Sequence, residues 1–167
     1  MVPIVSFVGA SNSGKTTLLE KVIKALNKRG YRVAVVKHEI RGFELDRKGK
    51  DSWQLKRAGA NPLILSSPER VAFIQDVLKE QSLQKLYERF KLEVDIILTE
   101  GYKKEPYPKI EVFRKECCSK LLCTVKDNLI AVASDTPLNV DVPCLDINDT
   151  ELIAEFIEKK YLTNKSY

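Results

Sequence analysis

Residues Gly9-Ala10-Ser11-Asn12-Ser13-Gly14-Lys15-Thr16 match the pattern GxxxxGK[ST] in full. The apolar run Ile4-Val5-Ser6-Phe7-Val8 precedes them, and a segment with apolar residues at helical spacing follows. Strand, glycine-rich turn and helix in that order make a phosphate-binding loop and open a parallel α/β sheet, so this octet constrains the fold more than any other stretch. Its residue types suit a polyphosphate. Glycines let the backbone wrap closely, the amides of Asn12 to Thr16 form an inward-facing nest, and the following helix adds partial positive charge. Lys15 is placed to reach the β- and γ-phosphates, and the Thr16 hydroxyl to ligate Mg²⁺. The candidate nucleotide-binding set is therefore Gly9, Asn12, Ser13, Gly14, Lys15, Thr16 and Thr17. The alternative, a Gly/Ser turn that happens to end in Gly-Lys-Thr, does not explain why both flanks fit.

At 167 residues the chain is expected to form one domain over residues 1–160, followed by a polar tail at 161–167. The formal net charge of +5 is too small and dispersed to argue for nucleic acid. No apolar run approaches bilayer-spanning length, and the first apolar stretch leads into the nucleotide loop rather than a cleavage site. A cytoplasmic protein without membrane contact is the expectation. Cys117, Cys118, Cys123 and Cys144 form no C-x-x-C pair, and His38 is the one histidine, so a zinc site has little support.

Leu18, Leu19, Val22, Ile23 and Leu26 predict a helix over 15–29 with Gly30 at its C-cap. Arg32 to Val36 reads as a strand buried on both faces, completing a βαβ unit. The polar stretch 38–52 reads as a long functional loop, with a short hairpin around Gly42 to Leu45. Asp51 and Gln54 fit a capping box opening a helix that stops at Gly59. Further strands are expected at Leu63 to Leu65, Val71 to Ile74, Val94 to Thr99, Lys109 to Phe113, Leu121 to Val125 and Leu129 to Ala133. Helices are expected over 77–91 and from Asp149 to about Lys159. The expected fold is α/β: a three-layer sheet of the P-loop NTPase type, mostly parallel, with helices on both faces.

Nucleotide hydrolases of this architecture place an acid at the end of a neighbouring apolar strand, near the metal. Ile96-Ile97-Leu98-Thr99-Glu100-Gly101 offers Glu100, with a glycine that permits close approach. A solvated strand-end carboxylate is the competing reading. Asp46 and Asp51 are further candidates for holding metal-bound water, and for Asp51 the competing role is the helix cap. His38 stands at the carboxyl end of a strand, the edge where ligands bind. Arg41, Arg47, Lys48 and Lys50 are either a solvated basic loop or contacts to a phosphorylated ligand, and spacing selects none of them. No N-K-x-D element for guanine occurs, since Val125-Lys126-Asp127 lacks the asparagine. The identity of the base is thus not readable from motifs.

Taken together, the chain resembles the molybdopterin-guanine dinucleotide biosynthesis adaptor family, protein B of that pathway. The likeness covers the phosphate loop through Thr17, Val36-Lys37-His38, Gly49-Lys50-Asp51-Ser52, Ala58-Gly59-Ala60 and Glu100-Gly101-Tyr102-Lys103. It continues through Pro108 to Val112, Ile130 to Asp135 with Pro137-Leu138, and Leu145 to Asp149. The later segments make it specific. The resemblance implies a homodimeric GTP-binding protein with weak intrinsic GTPase activity, Mg²⁺-dependent, of the class that includes metal-insertion GTPases. It implies a partner, the molybdenum cofactor guanylyltransferase that joins GMP to molybdopterin, with molybdopterin itself a further ligand. Lys15, Thr16 and Glu100 carry over as phosphate and metal residues, Asp51 as a site residue, and Ser134 and Asp135 as guanine contacts. Where relatives often have more histidines after Lys37-His38, this chain has Glu39, Ile40 and Arg41, which removes support for metal binding by that loop. A small-molecule kinase is the alternative, although neither a catalytic base nor an arginine-rich lid stands out. A metal-insertion GTPase chaperone is another, although clustered Cys/His ligands are missing.

Overall fold

A computed structural model describes residues 2–39, 42, 47–90 and 93–163. The chain divides into two compact units, Met1–His38 with Leu92–Tyr167, and Glu39–Lys91.

The first unit is built on a six-stranded parallel sheet. Its strands are β1 (Ile4–Val8), β2 (Val33–Lys37), β5 (Ile96–Glu100), β6 (Lys109–Phe113), β7 (Leu129–Ser134) and β8 (Cys144–Asp146), in the spatial order β2-β5-β1-β6-β7-β8. Helices α1 (Lys15–Lys28) and α4 (Thr150–Tyr161) pack together over one face. The expected class is met: a three-layer α/β fold with a mostly parallel central sheet flanked by helices. The register pairs Phe7 with Glu100 and Lys37 with Glu100, so the ends of β1, β2 and β5 form one edge.

Helix α1 forms because Leu18, Leu19, Val22, Ala25 and Leu26 make one buried stripe against Val5, Phe7, Ile110 and α4's Ile153, Ala154 and Ile157. It stops at Gly30, whose φ of +90° allows a Schellman ending: Gly30 N–H donates to Asn27 O at 2.9 Å and Tyr31 N–H to Leu26 O at 3.1 Å. Asp149 caps α4 by accepting from Leu152 N–H at 2.9 Å. The two helices are also clasped by Glu158, which receives Arg29 Nη1 at 2.5 Å and Tyr31 Oη at 2.8 Å. Those bonds hold the Glu158 carboxyl below the usual carboxylate range.

On β6, two buried charges fasten loops. Lys109 donates to the carbonyls of Glu105, Tyr107 and Asp127. Glu111 accepts from Leu122 N–H at 2.7 Å and Cys123 N–H at 2.9 Å. Burial pushes the Glu111 carboxyl up, against the pull of those two amides.

In the second unit, β3 (Leu63–Ser66) and β4 (Val71–Ile74) form an antiparallel hairpin beside α2 (Asp51–Arg57) and α3 (Leu83–Phe90).

Several expectations are corrected. Strand β2 is not buried on both faces; it is the edge strand, and Val35 is 45% exposed. Asp51 makes no capping box: Lys50 is the N-cap, no side chain bonds there, and Asp51 is the first helical residue. The helix expected over 77–91 begins at Leu83, because the Ser82 hydroxyl accepts from Lys85 N–H at 3.3 Å and so starts it late. Leu121 to Val125 is not a strand, since the amides of Leu122 and Cys123 are committed to Glu111 and a 3-10 turn follows at Val125–Asp127. Strand β8, only three residues long, is an addition. The expected hairpin around Gly42 to Leu45 falls on residues of which only Gly42 is described, and Arg41, Asp46 and most of the tail lie outside the described residues.

Candidate functional site

The loop between β1 and α1 has the backbone its sequence demands. Gly9 sits at φ +148°, where a Cβ would come within 2.4 Å of Val112 O. Asn12 and Gly14 have φ of +64° and +87°. Gly14 is the N-cap of α1 and carries no side chain to cap with, and the first turn holds no acidic residue. The opening amides of α1 are left without an intrahelical acceptor, and the helix end is positive. Lys15 folds back over the loop, donating to Ala10 O at 2.6 Å and Gly9 O at 3.2 Å. The Ser13 hydroxyl is fully buried and has no hydrogen-bond partner among the described residues. An orphaned hydroxyl beneath a ring of main-chain donors fits a polyanion that supplies the missing acceptors. Thr17 follows on the first turn of α1 and is exposed.

Beside the loop, Thr16 Oγ1 donates to Glu100, 2.9 Å from each carboxylate oxygen. Lys37 Nζ approaches the same carboxylate at 3.7 Å, as the β2–β5 register requires. Two hard oxygen groups meeting on one edge are the donor type that Mg²⁺ takes, so the residues present fit that ion. Gly101 explains itself here, since a Cβ would meet His38 Cβ at 3.0 Å. The His38 N–H donates to Glu100 O at 2.9 Å, and its ring stacks on Tyr102 with centroids 4.7 Å apart. His38 therefore braces the strand end that carries Glu100.

On the other side of the loop, the ends of β6 and β7 bring in Arg114, Lys115, Cys117 and Asp135. A Cβ on Gly14 would lie 3.3 Å from Arg114 Nε. Cys117 Sγ donates to Asn12 O at 3.4 Å. Asp135 accepts from Lys115 N–H at 3.2 Å, with Arg114 Nη1 at 3.9 Å from its other oxygen. Ser134 is buried, and its hydroxyl accepts from Thr136 N–H at 3.1 Å, closing the turn that presents Asp135.

Lys15, Thr16, Glu100, Ser134 and Asp135 thus line one sheet edge. Asp51 instead opens α2 in the second unit, as an exposed carboxylate, and Arg47, Lys48 and Lys50 precede it there, also exposed. Sequence reasoning missed Arg114, Lys37 and Cys117 as site residues. For Arg114 and Lys37 a signal existed: each stands at the carboxyl end of a strand beside the loop or beside β5.

The family model for molybdopterin guanine dinucleotide synthesis protein B matches residues 4–135. The chain is 43% identical over 158 residues to the molybdopterin-guanine dinucleotide biosynthesis adapter protein of Haemophilus influenzae, covering 94% of this chain and 88% of that protein. It is 41% identical over 161 residues to the Escherichia coli adapter, covering 94% and 92%. Among solved structures, that of molybdopterin-guanine biosynthesis protein B is 35% identical, with a TM-score of 0.74 over 95% of this chain and 98% of that one. Bacillus subtilis MobB is 28% identical, with a TM-score of 0.77 over 96% and 99%. A phosphate-loop fold carrying these likenesses over almost its whole length belongs to the MobB family of molybdopterin-guanine dinucleotide biosynthesis adapter proteins.

Proposed function

We propose that this adapter binds Mg·GTP in its phosphate loop, hydrolyses it slowly, and assists the guanylyltransferase that attaches GMP to molybdopterin. The observation that carries this is the loop itself: main-chain donors around a buried, unpartnered Ser13 hydroxyl, with Lys15 held across the mouth by two loop carbonyls. A triphosphate would draw the Lys15 ammonium off those carbonyls, because a phosphate oxygen is the stronger acceptor. The Thr16 hydroxyl and the Glu100 carboxylate would hold the ion, whose chemistry when bound is to screen the charge of the β- and γ-phosphates. Asp51, an exposed carboxylate of the second unit whose side chain is not engaged in a helix cap, is retained as a proposed catalytic residue.

Slow turnover follows from the cations. Arg114 and Lys37 are both engaged with carboxylates, and an arginine aimed at a γ-phosphate is worth about 10³–10⁵ in rate. The chain would act as a homodimer in the cytoplasm, with exposed Ile64 and Val71 of the second unit as apolar surface for a second copy. Residues 1–160 are taken as one functional domain, with molybdopterin as a further partner. The test is a pull-down with purified guanylyltransferase. Retention that rises with Mg·GTP and is lost with Lys15→Ala supports the adapter role. Equal retention with and without nucleotide overturns the GTP-linked part of it.

A further inference from the structure

Glu100 carries a cation of the chain's own. Its carboxylate is only 13% exposed, accepts the Thr16 hydroxyl on both oxygens, and has Lys37 Nζ 3.7 Å from Oε1. Lys15, the lysine of the loop itself, is turned instead to the carbonyls of Gly9 and Ala10. Among the described residues, Lys37 is thus the cation that answers the charge of Glu100.

The chain's own pairing puts it there. Strands β2 and β5 are in register with Lys37 opposite Glu100, and the next residue, His38, donates its N–H to Glu100 O at 2.9 Å. The stem of Lys37 therefore starts beside that carboxylate, while its side chain is 52% exposed and has solvent to move into. A pair this long and this exposed adds little to stability. Its consequence lies in what else can use the carboxylate. Lys37 and Mg²⁺ are like charges addressed to the same oxygens, and like charges a few ångströms apart repel even in water. Lys37 must give way for the ion to be held by Thr16 and Glu100.

We propose that Lys37 is a resident counter-ion, which stands in for the metal on Glu100 and is displaced when Mg²⁺ loads with the nucleotide. It is a positioning residue that sets how tightly nucleotide and metal binding are coupled. With the ammonium in place, a triphosphate arriving without metal meets a neutralised Glu100, and the metal gains less by following it. With the ammonium gone, the bare carboxylate repels the phosphates until Mg²⁺ shields it. The proposal rests on the Mg·triphosphate reading of the loop.

The test is calorimetric titration of GTP into full-length wild type, Lys37→Met and Lys37→Arg, each in excess Mg²⁺ and again in EDTA. The readout is the ratio of the two affinities, a coupling constant that a uniform loss of binding-competent protein does not change. Lys37→Met keeps a long stem without the charge. It is expected to raise the ratio about 5–10-fold, chiefly by weakening GTP in EDTA, and the rise should shrink as salt is added. Lys37→Arg keeps the charge and is expected to stay within about twofold of wild type. In a Glu100→Gln background, Lys37→Met should leave the ratio unchanged, because the charge that both cations address is gone. An unchanged ratio in Lys37→Met alone overturns the proposal: with both affinities intact Lys37 is an ordinary surface pair, and with both lowered equally it is a phosphate ligand. A rise that persists in the Glu100→Gln background overturns it as well, since Lys37 would then act without that carboxylate. If the wild type binds GTP in neither condition, the triphosphate reading itself fails and takes the counter-ion with it.

Discussion

Two neighbouring stretches of one sheet edge are built by opposite means. The phosphate loop is eight consecutive residues whose work is done by main-chain conformation: positive φ at Gly9, Asn12 and Gly14, and amides left over at a helix start. The recess at β6 and β7 is made by residues from separate segments, Lys115 and Glu116 with Asp135 and Thr136, brought together because β6 and β7 pair in parallel. A backbone device tolerates side-chain change but not a change of contour. A side-chain device behaves in the reverse way.

The loop is most sensitive at Gly9. Gly9→Ala sets a Cβ 2.4 Å from Val112 O at a φ that L-residues rarely adopt. The expected cost is about 3 kcal/mol or more in stability, with loss of nucleotide binding, read by thermal melts and calorimetry. A variant that melts and binds normally would show that the loop's contour is not the device.

A smaller effect is expected at the metal side. Glu100→Gln should lower affinity for Mg·GTP by about 10–100-fold and leave GTP in EDTA unaffected. Equal losses with and without Mg²⁺ would make Glu100 a brace for Thr16 and nothing more.

The α1–α4 clasp serves as a control remote from both halves. Glu158 is held below its usual value of 4.5 by Tyr31 and Arg29, so its stabilisation is present above pH 4.5 and disappears as pH falls through the depressed folded value. Glu158→Gln should cost about 1–2 kcal/mol at pH 7. Wild-type and variant melting curves should converge in acid, with nucleotide preference unchanged throughout; a constant gap at all pH values would exclude the charge as the cause. The least effect is expected at Asn12. Its φ of +64° suits glycine, and Asn12→Gly should change GTP affinity by less than about 0.5 kcal/mol. A larger loss, measured by calorimetry, would show that the loop uses that side chain.

The same contrast explains what the amino-acid order reveals. Strand β1, helix α1 and strand β5 were legible because each carries its own signal: an apolar run, a 3.6-residue stripe ending at Gly30, and another apolar run ending in an acid. Where a distant group decides the outcome, local pattern misleads. Leu121 to Val125 has the composition of a strand, but the Glu111 carboxylate takes the amides of Leu122 and Cys123, eleven and twelve residues downstream of it. Strand β2 has the apolar composition of a central strand, yet it ends the sheet, which only the pairing order reveals. Asp51 fits a cap by spacing, and the helix starts one residue earlier than that role allows. The phosphate half of the site could be read because it is contiguous. Arg114 offered only its place at the end of a strand, because its contacts are with Gly14 and Asp135, one hundred positions before it and twenty-one after.

The central claim is that main-chain donors and Lys15 together grip a polyphosphate. The most direct measurement is calorimetric titration of Mg·GTP into wild type and Lys15→Ala, with thermal melts of both proteins alongside. The expected result is a loss of at least 100-fold, about 3 kcal/mol, with an unchanged melting temperature in the absence of nucleotide. Undiminished affinity in Lys15→Ala would contradict it.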